Sequence, residues 1–222
     1  MGDFWLVFGI SFFGLFFLVY NALRSVSFRK KIDLNSFKFF SVYLVTMAII
    51  EIGCHILGVL EPGSNFFISH FQFNFQFIII TLFFLQLLKG NGKIRSVVAV
   101  FSSIVLLLIL MSYVIKPSLF WEFNLFEIGI TSLTILVYVI FYFYTTFDKV
   151  RVDYHYFFGG LSIYLLSSSL IFLTGNVEWV LWDKPFIDIW VFNSLFYILF
   201  QFFVMKELQF LKKKYLIKKA LV

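Results

Sequence analysis

The sequence predicts an all-α integral membrane protein, a seven-transmembrane-helix bundle with its N-terminus outside and its C-terminus in the cytoplasm. Three observations predict it. Of 222 residues, 61% are hydrophobic, 23% aromatic and only 14% charged, with a mean hydropathy of +0.95, more apolar surface than one soluble core can hide. The apolar residues gather in seven runs, at about 4–23, 37–60, 66–88, 96–115, 122–147, 154–175 and 187–205, and a helix crosses a bilayer with about 20 residues. The first, third and fifth connections with their flanks, together with the tail, hold 16 of the 18 Lys and Arg residues, leaving Lys116 and Lys184 on the other side. Basic loops stay in the cytoplasm, which sets the orientation.

The first run starts at Phe4 without a basic leader and ends without a small-residue cleavage site, so it reads as a span and not as a removable signal. Arg24 to Ser36 connects it to the second run, which contains Glu51-Ile-Gly-Cys-His55 and stops at Glu61-Pro62-Gly63-Ser64-Asn65. The third run opens with His70-Phe-Gln72-Phe-Asn74-Phe-Gln76, an alternation with the period of a strand. A lone strand leaves its backbone unpaired in hydrocarbon, and the run continues unbroken to Leu88, so helix is the reading. On that helix Gln72 and Gln76 share one side, and His70, Asn74 and Thr81 nearly the opposite one. The third helix is therefore expected to be central, with protein or water on both sides.

Lys89 to Lys93 and Lys116-Pro117-Ser118 bound the fourth run. The fifth carries Glu127, Thr131, Thr134 and Tyr138 on one helical face. Asp148 to Asp153 leads into the sixth, where Gly159, Gly160, Ser162 and Ser167 to Ser169 are small enough for close helix approach. The seventh carries Ser194, Tyr197 and Gln201 on one face, with Asp188 and Asn193 nearer the outside. Residues 1–208 form the membrane domain and 209–222 a basic tail. That tail serves either as a surface anchor or as a docking helix. Trp5, Trp121, Trp179, Trp182 and Trp190 all map to the outer boundary, where indoles anchor at headgroup level.

Polar side chains inside spans are costly and face protein or water, so they mark candidate sites. Counted from the outer ends, Glu51, His55, His70, Gln72, Asn74, Gln76, Glu127 and Asn193 fall in the outer half. They are the candidates for a ligand-binding or proton-linked site, in a polar cavity open to the outside and closed toward the cytoplasm by aromatic residues. The inner half has only scattered groups such as Asn21, Gln86 and Gln201. Glu51 and His55, at i and i+4, meet on one face and serve either as a proton-linked switch or as a structural pair. His70 reads equally as an interfacial residue at a helix start, and Glu127 as a hydrated one. His155, at the inner end of the sixth helix, is expected to have no ligand role.

Several classes are disfavoured. The net charge of +6 is divided among loops and forms no patch for nucleic acid. The single cysteine, Cys54, allows no internal disulfide or thiolate metal site. No lysine lies between Pro185 and Met205 for a retinal Schiff base, and there is no phosphate loop, nucleophile elbow or CxxC pair. No cofactor is expected. A membrane metallohydrolase stays as the minor enzymatic alternative, through Glu51, His55 and His70. A loose echo of Asn74, Gln86 and Lys89 in Asn193, Gln201 and Lys206 suggests a three-helix repeat.

Glu51 with Gly53 and Gly58, His70-x-Gln72-x-x-x-Gln76, Tyr156-Phe-Phe-Gly-Gly-Leu-Ser-Ile-Tyr164 and Ile189-Trp190-x-x-Asn193 occur in an order similar to that in a set of uncharacterised seven-transmembrane-helix proteins of Bacteroidota. Those proteins resemble membrane sensor modules, some fused or adjacent to histidine kinases. The resemblance implies a sensor in a bacterial inner membrane, without an output domain of its own after the seventh helix. The expected function is a sensor or receptor that binds a small ligand or partner from outside and signals to a cytoplasmic partner. The alternatives are a small-solute or proton-coupled transporter and a non-catalytic subunit of a larger membrane complex. Expected partners are the lipid bilayer and a cytoplasmic kinase or complex subunits.

Overall fold

The computed structural model describes the backbone of residues 2–32, 34–60, 66–122, 124–148, 152–181 and 189–220, and the side chains of 8–32, 34–60, 67–122, 124–148, 152–172 and 191–215. Seven α-helices result: α1 (Gly2–Arg29), α2 (Asn35–Leu60), α3 (Phe66–Leu87), α4 (Gly92–Ile115), α5 (Leu125–Thr146), α6 (His155–Leu181) and α7 (Ile189–Ala220). Among the described residues there is no strand. All seven are long and apolar enough to cross a membrane, so the chain is a multi-pass membrane protein. The Phe/polar alternation at 71–77 lies within α3 and does not interrupt it.

Helix ends differ from the sequence expectation where a local signal acts. The Asn91 side chain accepts the Ile94 N–H at 3.3 Å, which starts α4 at Gly92. Pro117–Trp121 forms a 3-10 turn, so α5 begins at Leu125 and not at 122. α6 continues to Leu181, past the expected end at 175. α7 has 32 residues, about 48 Å at about 1.5 Å per residue, more than the roughly 30 Å of hydrocarbon. The basic stretch expected as a tail is thus a continuation of α7 to Ala220.

The chain forms two compact units, Asp33–Tyr138 and Met1–Ile32 with Val139–Val222. In the first, α3 packs against α2 and α4, and the 3-10 turn packs on α3 and α4. Phe40 of α2 meets Phe83 of α3 at 6.3 Å between ring centroids, and Phe84 stacks on Tyr138 at 4.9 Å. Both polar sides of α3 meet protein: His70 and Asn74 bond to Glu127 of α5, and Gln76 donates to the Tyr43 hydroxyl of α2 at 3.3 Å. α3 is 56% buried over its apolar window and α4 only 17%. Val97, Val100, Phe101, Ile104 and Leu107 on α4 are exposed, a surface for lipid.

In the second unit α7 packs against both α1 and α6. Small residues make this possible. A Cβ on Gly160 would lie 2.5 Å from Phe203 Cβ, and one on Gly14 3.0 Å from the Tyr197 ring. Aromatic rings fill the remaining space, with Phe200 5.9 Å from Phe157 and 5.7 Å from Tyr164. Asn21 of α1 donates to the backbone oxygen and side-chain oxygen of Gln201 at 2.9 and 3.2 Å, which lowers the cost of burying two polar side chains. The side chains of Trp5, Trp179, Trp182 and Trp190, the connection 61–65, and Asp188 lie outside the described residues. Trp121 is exposed.

Gly160→Ala is expected to destabilise the protein by about 1–3 kcal/mol through overpacking against Phe203, whereas Gly9→Ala, where nothing lies within 4 Å, should be neutral or slightly stabilising. Thermal unfolding of both variants in detergent checks the contrast. Equal midpoints would contradict the close α6–α7 approach.

Candidate functional site

Glu127 is the third residue of α5, and its position follows from local chemistry. Asn124 precedes the helix and its side-chain oxygen accepts the Glu127 N–H at 3.3 Å, a cap that fixes the first turn. Asn124 in turn donates to the Ser112 hydroxyl on α4 at 3.3 Å. The free N–H groups of a first turn favour negative charge nearby. Glu127 is fully buried, and its carboxylate reaches away from its own helix.

Three donors or donor-capable groups from two other helices meet that carboxylate. Asn74 Nδ2 donates to Oε1 at 2.8 Å, His70 Nδ1 lies 3.0 Å from Oε2, and the Tyr113 hydroxyl of α4 donates to Oε2. The Tyr113 hydroxyl is also 2.8 Å from His70 Nδ1, and Asn74 Nδ2 also donates to the His70 backbone oxygen at 2.9 Å. On its other edge the imidazole has Nε2 3.1 Å from the Phe120 carbonyl oxygen, contributed by the 3-10 turn. The Phe120 ring stacks on the imidazole at 5.7 Å, and Phe67 and Trp121 pack beside it. His70 is buried beneath them.

This geometry fixes a proton count. A carbonyl only accepts, so Nε2 carries hydrogen and donates to Phe120. The Nδ1 to Oε2 contact then requires one more proton, held by either the imidazole or the carboxyl group. In both forms the pair is neutral as a whole, which is the condition for burying it in a low-dielectric span. The arrangement ties α5 to α3 and α4 through one buried carboxylate.

The other expected site residues take different places. His55 Nδ1 donates to the Glu51 backbone oxygen at 2.9 Å and stands 3.7 Å from its carboxylate, an i, i+4 contact within α2. Both are largely buried. Gln72 is half-buried, and Gln76 joins α3 to α2 as described. Asn193 Oδ1 is buried without a hydrogen-bond partner among the described residues. Of the readings open for Glu127 and His70, the hydrated and the interfacial ones do not fit their burial and mutual bonding. The polar stripe below Glu127 is also inward: Thr131 and Thr134 bond to their own helix, and Tyr138 meets Ser102 of α4 at 2.6 Å. Among the described residues no group of three His, Cys, Asp or Glu side chains is placed to hold a metal.

Tyr113 was not singled out by the sequence, and neither was Glu207. Glu207 is a fully buried carboxylate on α7. It accepts the backbone N–H groups of Tyr154, Tyr156 and Phe157 at 2.7, 3.0 and 3.3 Å, and so caps α6 from another helix. Tyr154 adopts a left-handed φ of 70° there, a conformation costing a side-chain-bearing residue about 1–2 kcal/mol. Beside it Asp153 pairs with Lys214 at 2.7 Å and with the Tyr215 hydroxyl at 2.5 Å. The Asn124-x-x-Glu127 spacing was a usable cap signal; nothing local marks Glu207.

No protein-family model matches the chain, and neither curated proteins nor solved structures show significant similarity to it.

His70→Leu and Glu127→Leu are each expected to cost about 3–5 kcal/mol, because each leaves a buried partner unpaired, while the double variant should cost far less than their sum. A double-mutant cycle on unfolding in detergent checks this; additivity would mean the two side chains do not interact. Glu207→Ala should destabilise the start of α6 by about 1–3 kcal/mol, read as faster amide exchange at Tyr156 and Phe157 with α3 unaffected.

Proposed function

We propose that this chain is a sensor or receptor in a bacterial inner membrane, with its N-terminus outside, whose buried Glu127–His70 site registers a proton, a small ligand or a partner from the outer side. The signal passes as a helix displacement to a cytoplasmic kinase or membrane-complex subunit. One observation carries the reading. A fully buried carboxylate in one span draws its hydrogen bonds from two other spans, so a change at the site acts on three helices at once. The division of basic residues supports the orientation, and the length of α7 supports a continuous mechanical path out of the membrane. Glu51 and His55, with Gln72, Gln76 and Asn193, are ancillary ligand groups in this reading.

A specific observation favours a second reading, a non-catalytic subunit of a larger membrane complex. The Glu127 oxygens, His70 and Asn74 are occupied by one another and not by an open cavity. The transporter reading draws least support, since Asn21 and Gln201 on the inner half bond to each other.

The test follows amide exchange at 206–215 in proteoliposomes while the outer solution is titrated from about pH 5 to about pH 8, the range over which imidazole titrates. Exchange is expected to change in the wild type and to stay flat in Glu127→Gln, which inserts normally; Glu51→Gln should reduce a ligand response. A wild-type profile in Glu127→Gln would remove this site as the input. Affinity purification from native membranes with mass spectrometry then separates the two readings, a kinase supporting the sensor and a stoichiometric assembly the subunit.

A further inference from the structure

A cavity lies where α5 ends and α6 begins. Phe143, Phe147, Tyr156 and Phe210 supply rings to its wall, with His155 and Thr146 between them, and it encloses about 400 Å³ with one side open. That volume suits a small organic ligand, for which sites of about 300–1,000 Å³ are usual. The rings meet edge to face, His155 on Phe143 at 5.1 Å and Tyr156 on Phe210 at 6.2 Å. Such walls leave ring faces for a flat guest.

Three further features narrow the guest. The candidate span of α5 ends at Thr146 and that of α6 begins at His155, so the cavity sits at a membrane boundary, reachable from lipid. The His155 ring nitrogens and the Tyr156 hydroxyl, both at the exposed rim, make no hydrogen bond with another described residue, which leaves two donors for a guest. Charge is balanced beside it. Lys214, 5.8 Å from the Phe210 ring, is neutralised by Asp153. With that pair closed, the described residues of the rim offer no net charge to attract either a cation or an anion.

We infer that this cavity binds the head group of an uncharged, membrane-dissolved quinone. Its flat ring lies against Phe143, Phe147 and Phe210, His155 and Tyr156 donate to its carbonyl oxygens, and its prenyl tail stays in the bilayer. The assignment reverses the sequence expectation for His155 and is independent of the Glu127 site.

The full chain, purified in mild detergent, is titrated with a short-chain ubiquinone by equilibrium dialysis, and co-purified quinone and phospholipid are quantified by mass spectrometry. Saturable binding of one quinone per chain is expected, about tenfold weaker in His155→Phe with Tyr156→Phe and unchanged in Phe16→Leu, a lipid-facing control. Tyr156→Phe alone removes only a hydroxyl and keeps the fold, and it should weaken binding by about threefold. Unsaturable uptake, equal affinity in Tyr156→Phe, or a tightly held phospholipid that the quinone does not displace would overturn the assignment.

Discussion

A carboxylate cut off from water must be surrounded by donors or share a proton, because several kcal/mol of lost hydration are otherwise uncompensated. Two such groups organise this protein. Glu127 ties α5 to α3 and α4, and Glu207 ties α7 to the start of α6. In each case the donors come from a different helix, so satisfying one charge fixes a tertiary contact. Apolar packing alone gives little orientation inside a bilayer, where lipid chains are as apolar as Leu and Phe. Here the polar groups select which faces meet, and glycines such as Gly160 set how closely they meet.

The same reasoning extends along α5. Glu127 lies in its first turn, and the Thr131, Thr134 and Tyr138 stripe continues along the helix, with Tyr138 bonded to Ser102 of α4. A change at His70 therefore acts on a rigid helix and not on a loop. The 3-10 turn over His70 adds a lid of Phe120 and Trp121, whose seating depends on the Nε2 to Phe120 bond. His70 thereby joins its own helix to Glu127 of α5 and to the 3-10 turn.

Much of this was legible in the sequence because it rests on periodicity and cost. Seven apolar runs became seven helices, although α1, α6 and α7 run on past the expected ends at 23, 175 and 205, and the argument from unpaired backbone correctly made the Phe71–Phe77 alternation helical. The placement of Gln76 opposite His70 and Asn74 implied protein or water on both sides of α3, and on each side these residues bond to protein. Which polar groups would meet was not legible. The i, i+4 spacing drew attention to Glu51 and His55, whereas the network forms between Glu127 and His70, separated by 57 residues. Tyr113 enters only because α4 folds back on α3. Glu207 was not legible as a cap, since local cap rules look within a few residues of a helix start and its partners lie 50 to 53 residues away.

That separation bears on the order of biosynthesis. The first-turn N–H groups of α6 leave the ribosome before the carboxylate that receives them has been made, a gap of several seconds at ordinary elongation rates. During that interval α6 enters the bilayer with an unfinished end, and the strained Tyr154 linkage has nothing to hold it. A later helix thus completes an earlier one, and until α7 is seated the nascent chain presents an open helix end at the start of α6.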